Sequence, residues 1–170
     1  MVRRFASRLV DAAGDLPILD VACGSGRHAV LLLRLGCTVI CVDRDLAALE
    51  ARQVRLSRTL FSRVSGQLVL QRLDLIRDPW PFGPRTVGGI LNIHFFAPKL
   101  FPFFARSLSP GGYLLFETVP GCGGNYLELP KAGEVRNALG KAFDFEFYKE
   151  GRVGPRAYDA VTVQTLARRR

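Results

Sequence analysis

The sequence feature that most constrains the fold is the stretch ILDVACGSGRHAV, residues 18 to 30. It starts as a short apolar run, continues through a turn that contains Gly24 and Gly26, and ends in a segment with the apolar spacing of a helix. A strand that runs through a glycine turn into a helix is typical of a β-α-β unit, which requires a parallel sheet. Because glycine lets a ligand approach the backbone closely, the same stretch also predicts a binding site.

The next segments repeat this alternation of short apolar runs and helical patterns. PILDVA precedes a helix predicted from about residue 25 to 35, TVICV precedes one from about 45 to 63, and LVLQRL follows near residue 70. VGGILNI predicts a fourth strand, Pro98 is placed in the first turn of the next helix, and SPGG predicts the turn into a fifth strand, YLLFETV. Five parallel strands with right-handed crossovers are expected.

The end of the chain has a different pattern. Residues 143–150 and 158–166 alternate apolar with polar side chains, and GRVGPR joins them, which predicts an antiparallel hairpin. We therefore expect an α/β fold with a mostly parallel seven-stranded sheet, a terminal antiparallel hairpin and helices on both faces. One domain is expected to span residues 1–170, because the length fits a single domain.

The N-terminal segment MVRRFASRLVDAAG is rich in arginine but lacks the apolar core of a secretory signal. We interpret it as an amphipathic helix with three positions facing inward: Phe5, Leu9 and Ala12 or Ala13. Polar and charged residues interrupt the longest apolar runs before they reach the roughly 18 residues of a membrane span, so no membrane partner is expected.

The cysteines and histidines do not predict a metal site. The four cysteines, Cys23, Cys37, Cys41 and Cys122, have no C-x-x-C spacing, and His28 and His94 lack the spacing of a ligand pair. Three of the cysteines lie in or beside predicted core strands, where a free thiol behaves as a small apolar group. We expect a reducing compartment, the cytoplasm, and no bound metal.

The net charge of +9 allows attraction to nucleic acid. Arg52, Arg55, Arg58 and Arg63 recur on one predicted helix and would form a basic stripe. This stripe is interpreted either as a solvated face or as a nucleic-acid contact. The solvated face is favoured, because no aromatic side chains alternate with the arginines as single-strand binding would require.

Acidic residues separate the two ligand classes that share a G-x-G-x-x-A turn, dinucleotides and S-adenosylmethionine. Asp20 lies within the first strand, four residues before Gly24. A pyrophosphate requires a positive helix end without a neighbouring negative charge, so a dinucleotide site gives no reason for this carboxylate. A ligand that carries an ammonium group does give one.

Three motifs, DVACGSG, VICVDRD and RLDLIRDPWPF, resemble those of the class I S-adenosylmethionine-dependent methyltransferases over nearly the whole chain. CGSGRHA resembles the small branch that includes the tellurite-resistance enzymes. The resemblance implies a Rossmann-like methyltransferase fold with S-adenosylmethionine as cofactor. It places the ribose hydroxyls at Asp43 and the adenine amine at Asp74. The cofactor-binding residues that it implies are Asp20, Ala22, Cys23, Gly24, Gly26, Arg27, Asp43, Arg44, Asp74, Leu75 and Asn92.

Each acid also has a structural interpretation: Asp20 as a helix-capping or strand-end residue, and Asp43 and Asp74 as turn formers. The sequence departs from the family in three places. Arg44 stands where an apolar residue usually stacks on adenine, although a guanidinium plane can also stack on a base. GPRTVGG lacks the usual aromatic-Asp pair before the fourth strand, and NIHF lacks the prolines of the N-P-P-Y motif of amino-methyltransferases that modify bases.

Two residues are candidates for catalysis, His94 and Tyr126. His94 follows the fourth strand and is interpreted either as a general base or as a wall residue beside Phe95 and Phe96. Tyr126 lies in the glycine-rich segment 120–130, and Glu117, at the end of the fifth strand, is a further candidate to contact substrate.

The function expected from these residues is methyl transfer to a small-molecule acceptor by in-line displacement, which depends largely on positioning the reactants. Two alternatives stay open. One is a non-catalytic member of the same fold that binds the cofactor or a partner, and the other is methylation of RNA or another acidic macromolecule.

Overall fold

The computed structural model describes residues 1–57, 66–121 and 124–170. The helices are α1 (Val2–Ala13), α2 (Arg27–Arg34), α3 (Ala47–Ser57), α4 (Phe101–Ser107) and α5 (Glu134–Leu139). The strands are β1 (Ile18–Val21), β2 (Val39–Asp43), β3 (Leu68–Arg72), β4 (Val87–Ile93), β5 (Leu108–Glu117), β6 (Phe143–Arg152) and β7 (Val161–Arg169). Short 3₁₀ turns span Pro98–Leu100, Asn125–Glu128 and Arg156–Tyr158.

The seven strands form one sheet in the order β3-β2-β1-β4-β5-β7-β6. The pairs among β1 to β5 are parallel, whereas β7 runs antiparallel to both β5 and β6. The predicted mostly parallel sheet with a terminal hairpin is confirmed. Because the strand order reverses between β1 and β4, a crevice opens there at the carboxyl ends of the strands, where ligands bind in sheets of this kind.

Helices cover both faces of the sheet, as predicted. On one face α1 and α2 pack with Leu46 and Leu49 against the sheet. On the other face α4 and α5 supply Phe101, Phe104 and Val135 to a second apolar cluster. The four residues of β1 and the seven of β4 are all buried, which explains why these strands lack polar alternation in the sequence.

The N-terminal helix α1 has the predicted inward face. Phe5, Leu9 and Ala13 are buried, so the choice between Ala12 and Ala13 falls on Ala13. The end of α1 reaches the middle of the sheet at Gly88, where an added Cβ would lie only 2.5 Å from the Ala13 Cα. Glycine at position 88 is therefore a condition for this close approach.

Two predicted boundaries differ from the structure. Helix α2 begins at Arg27 rather than near residue 25, because Gly26 has a left-handed backbone (φ 65°) that ends the turn. SPGG does not precede β5 but lies inside it. Leu108 already pairs with Val87, and regular pairing resumes only at Tyr113 beside Gly89. The glycine pair forms an irregularity within the strand.

Some predictions fall on parts of the chain for which no structure is described. These are the last part of the helix predicted to residue 63, the stripe positions Arg58 and Arg63, and Cys122. Helix α5 was not predicted. Pro98 does open the turn that leads into α4, as expected. No helix within the described ranges is long and apolar enough to cross a membrane.

Candidate functional site

The glycine turn lies at the carboxyl end of β1, between α2 and the end of β2. Ala22 has a left-handed backbone (φ 54°), as do Gly24 (φ 52°) and Gly26 (φ 65°). A Cβ added at Gly26 would lie 2.3 Å from the Leu49 side chain, whereas one at Gly24 would meet no atom within 4 Å. A side chain at position 26 would be strained by the left-handed backbone and would displace Leu49, while Gly24 leaves its backbone open to a ligand.

Asp20 is the most unusual residue near this turn. It is only 2% exposed, and its Oδ2 has no hydrogen-bond partner. Burial raises the pKa of the Asp20 carboxyl to about 7; the negative charge of Asp43 adds to this rise, and a hydrogen bond from the Ala29 backbone N–H opposes it. A buried carboxylate with an unused oxygen is unfavourable unless a cation binds to it.

Asp20 opens into a cavity of about 250 Å³. We call it the Asp20 cavity; it is lined by Asp20, Ala22, Cys23, Gly24, Ser25, Arg27, His28, Ile93 and His94. The sequence had assigned five of these residues to a cofactor and His94 to catalysis. Ser25, His28 and Ile93 were missed, although the position of His28 in the first turn of α2 was a signal that could have identified it.

Asp43 joins the end of β2 to the glycine turn. Its Oδ2 accepts a hydrogen bond from the Gly24 backbone N–H at 2.9 Å, and its Oδ1 accepts one from the Asp45 backbone N–H at 3.1 Å. The Asp43 carboxylate therefore stabilises the turn, which is the structural interpretation considered for it above. Each oxygen still has a second lone pair, and Asp43 lines a neighbouring cavity.

This second cavity, the Asp74 cavity, has a volume of about 300 Å³. It is lined by Ala22, Asp43, Arg44, Leu73, Asp74, Leu75, Ile76 and Phe95. Ala22 lines both cavities, so the two adjoin at the glycine turn. Ten of the eleven predicted cofactor-binding residues either line one of the cavities or, as with Gly26, form the turn between them.

The Asp74 carboxylate caps the turn that follows β3. Its Oδ1 accepts hydrogen bonds from the backbone N–H groups of Ile76 at 2.9 Å and Arg77 at 3.2 Å. These bonds, chiefly the one from Ile76, lower the pKa of Asp74. The Asp78 carboxylate supports the same turn by accepting a 2.8 Å hydrogen bond from the Asp74 backbone N–H.

Asn92 is the one predicted cofactor-binding residue that lies outside the glycine turn and both cavities. It lies near the end of β4, paired between Val21 and Phe116, and is completely buried. Neither its side-chain oxygen nor its nitrogen has a hydrogen-bond partner, and it does not line either cavity. Its assignment to the cofactor is not supported by a cavity contact, because the residues that follow it, Ile93 to Phe95, form the cavity walls instead.

The two histidines have different environments. His94 is exposed in the Asp20 cavity, with a left-handed backbone (φ 64°) fixed by a 2.7 Å hydrogen bond from its N–H to the Glu117 carbonyl. In contrast, burial and then the charge of Arg27 lower the pKa of His28 to about 4. The Nε2 of His28 also accepts a 3.1 Å hydrogen bond from the Nε of Arg27.

Tyr126 lies apart from both cavities. Its ring packs 5.7 Å from that of Tyr158, and it covers Gly154 in the connection between β6 and β7. Tyr126 is not among the residues that line either cavity, so its contact with the reacting groups stays a prediction. Glu117 ends β5 and accepts a 2.6 Å hydrogen bond from the Gln164 side chain.

A family model described as a methyltransferase domain matches residues 18–112. The chain belongs to this methyltransferase family. The match begins at the first residue of β1 and includes the glycine turn and all the residues that line the two cavities. Enzymes of this family use S-adenosylmethionine as the methyl donor. No curated protein matches the chain by sequence.

Solved structures similar to this methyltransferase share its fold at low sequence identity. A S-adenosylmethionine-dependent methyltransferase from Methanosarcina mazei is 18% identical with a TM-score of 0.69, covering 96% of this chain and 95% of its own. Geranyl diphosphate C-methyltransferase from Streptomyces coelicolor is 17% identical with a TM-score of 0.72 (99% and 80%). TehB from Haemophilus influenzae is 15% identical with a TM-score of 0.69 (97% and 61%). The present chain therefore spans about three fifths of the length of TehB.

The residues around the glycine turn fit S-adenosylmethionine. The donor carries an ammonium group, and Asp20 offers a buried carboxylate oxygen without a partner. The donor also carries a carboxylate, and Arg27 lies at the start of α2 in the same cavity. Among the residues that the structure describes, no group of three or more His, Cys, Asp or Glu side chains could hold a metal ion.

Proposed function

We propose that this methyltransferase transfers the methyl group of S-adenosylmethionine to a small-molecule acceptor. The observation that carries the proposal is the Asp20 Oδ2, which is buried and unpartnered beside an open glycine turn. A cationic group of a ligand would satisfy this oxygen, and a dinucleotide has no such group in that position. The bound donor supplies a methyl carbon that its sulfonium activates for in-line displacement.

In this proposal the Asp20 cavity holds the methionine end of the donor. Asp20 binds the ammonium group, Arg27 binds the carboxylate, and the backbone of Gly24 lies against the methionine chain, with Ala22 and Cys23 lining the turn. Charge-assisted hydrogen bonds to both the ammonium and the carboxylate group of the methionine moiety would fix its orientation.

The Asp74 cavity holds the nucleoside end. Asp43 accepts hydrogen bonds from the ribose hydroxyls on the lone pairs that Gly24 and Asp45 leave free. Arg44 stacks on the adenine, and Asp74 with the Leu75 backbone meets its exocyclic amine. The adjoining cavities at Ala22 would let one ligand extend from Asp20 to Asp74.

His94 acts as the general base for an acceptor that must lose a proton. It is exposed in the Asp20 cavity, and the Glu117 carbonyl fixes its backbone. His28 is unsuited to this role, since its Nε2 already accepts the hydrogen bond from Arg27 and its pKa is about 4. An acceptor thiolate would need no base, because its sulfur is already nucleophilic.

Calorimetry with S-adenosylmethionine and S-adenosylhomocysteine tests the first step of the proposal. We expect both to bind the wild-type protein, and the absence of binding at millimolar concentration would contradict the donor site. Transfer of tritium from labelled donor is then screened against thiols, metalloid oxyanions and small phenols, with bulk RNA in parallel. Transfer to RNA alone would replace the small-molecule acceptor, and donor binding without transfer to any of these would favour the non-catalytic alternative.

A further inference from the structure

A basic cleft of about 430 Å³ lies beside the Asp20 cavity, between the start of α1, the outer side of α2 and the middle of α3. Its charged lining consists of four arginines, Arg3, Arg27, Arg34 and Arg52, and the neutral imidazole of His28 lies among them. The other described lining side chains are apolar, and none of them carries a carboxylate. The arginines come from three different helices, so the positive charge is produced by the fold and not by one run of sequence.

The positive charge of this cleft is not neutralised within the described part of the chain. None of its four arginines forms an ion pair with an acid there, whereas Arg8, farther along α1, pairs with Glu146 at 2.7 Å. Arg52 donates a hydrogen bond to the Ser25 carbonyl at 3.3 Å, which leaves its charge uncompensated. Like charges gathered around a concave surface repel one another, and a bound anion would relieve this repulsion.

We propose that the basic cleft binds a phosphate-bearing group of the methyl acceptor. This inference rests on the proposed function, since it assigns the substrate class of the same site. Guanidinium groups bind phosphate through paired hydrogen bonds, and a multiply charged anion balances several arginines better than one carboxylate does. Arg27 and His28 line both the cleft and the Asp20 cavity, so the rest of a bound acceptor would extend toward the donor.

The lining of the cleft favours a small phosphorylated molecule over RNA. Single-stranded nucleic acid is usually held by aromatic side chains on which the bases stack, in addition to basic residues. Among the described residues, the cleft provides aliphatic side chains such as Val30 and Leu31 and no aromatic ring other than the imidazole of His28. Its volume is in the range of pockets that enclose small ligands.

The test is calorimetry of the full chain with inorganic pyrophosphate at constant ionic strength. We expect binding that Arg34→Gln weakens about tenfold, and that Arg3→Gln also weakens. The matched control is Arg106→Gln, because Arg34 and Arg106 are both exposed and both lie in the last turn of a helix. Unchanged thermal unfolding verifies that each variant is folded. No binding to wild type, or equal loss in the Arg34 and Arg106 variants, would overturn the proposal.

The same titration with saturating S-adenosylhomocysteine separates this inference from the proposed function. We expect pyrophosphate to bind alongside the nucleoside. Displacement would mean that the cleft holds the carboxylate of the donor, and this overturns the acceptor site. If S-adenosylhomocysteine fails to bind while pyrophosphate binds through Arg34, the donor proposal fails and the anion site alone stands. Tighter binding of a short single-stranded RNA than of pyrophosphate, lost in Arg34→Gln, would overturn the small acceptor.

Discussion

The two ends of the candidate donor site hold their carboxylates in opposite ways. In the Asp20 cavity, a buried carboxylate has an oxygen without any partner. In the Asp74 cavity, Asp43 and Asp74 accept hydrogen bonds from backbone N–H groups of the loops that surround them. A carboxylate that stabilises its own loop, such as Asp43 or Asp74, can bind a ligand only with its remaining lone pairs. Asp20, in contrast, depends on the ligand to provide a partner for its Oδ2.

The largest expected effect is at Asp20. Asp20→Asn retains the size of the side chain and an acceptor for the Ala29 N–H but removes the charge, so S-adenosylmethionine should bind on the order of a thousandfold more weakly (~4 kcal/mol). The free energy of unfolding without ligand should not fall by more than about 1 kcal/mol, because the buried charge is itself unfavourable. Calorimetry and urea unfolding measure the two quantities. Unchanged donor affinity would show that Asp20 is a strand-end residue only.

Asp43 should show a smaller loss of affinity together with a loss of stability. Asp43→Ala removes the acceptor for the ribose hydroxyls and for the N–H groups of Gly24 and Asp45, so donor affinity should fall about a hundredfold and the free energy of unfolding by about 1–2 kcal/mol. Asp43→Asn keeps one acceptor oxygen and should recover part of both. Wild-type affinity in the alanine variant would show that the ribose lies elsewhere.

Asp74 should contribute least of the three acids to the donor. Asp74→Ala should lower donor affinity about tenfold and should also lower the free energy of unfolding slightly, since it removes the cap of the turn. Asp78→Ala is the matched control, because Asp78 supports the same turn without lining the Asp74 cavity. Equal affinity losses in both variants would assign the effect to the turn and not to the adenine amine.

The pH dependence of donor affinity should reveal the contribution of Asp20 in the wild-type protein. Because the pKa of Asp20 is raised to about 7, the carboxyl is increasingly protonated below this pH and attracts an ammonium group less. Donor affinity should therefore fall about fivefold from pH 7 to pH 6 in the wild type and stay constant in Asp20→Asn. Without ligand, and between about pH 4 and pH 7, Asp20 is protonated in the folded protein but ionised in the unfolded chain. The free energy of unfolding should therefore decrease as the pH rises through this interval. A flat affinity profile in the wild type would contradict an ionised Asp20 at the donor.

Most of the fold could be predicted, because its elements are specified by local patterns. The apolar runs at β1 and β2 and the alternation in β6 and β7 each indicate a strand before any contact is known. Helix α5 was missed because six residues with two buried apolar side chains give almost no periodic signal. The start of α2 was misplaced because the sequence does not show that Gly26 has the left-handed backbone that ends the turn.

The positions of the site residues could be predicted from the sequence where they lie at strand ends. They could not be predicted where they depend on the conformation of loops. Asp20, Asp43 and Asp74 meet at one edge because parallel strands end there. The sequence does not show that Asp74 uses an oxygen to cap its own turn, or that Tyr126 packs on Tyr158. The basic cleft was not predicted either, since Arg3, Arg34 and Arg52 are far apart in the sequence and become neighbours only when the helices pack.

The close approach at Gly88 has a consequence for distant parts of the molecule. Helix α1 touches the middle of the sheet at Ala13 and carries Arg3 near its other end, about 15 Å away along the helix axis. A rigid helix that is pushed outward at one end must also shift or tilt at the other. The absence of a side chain at Gly88 therefore helps to set the position of Arg3 in the basic cleft, and a side chain at residue 88 should alter the geometry of the proposed anion site without changing any residue that lines it.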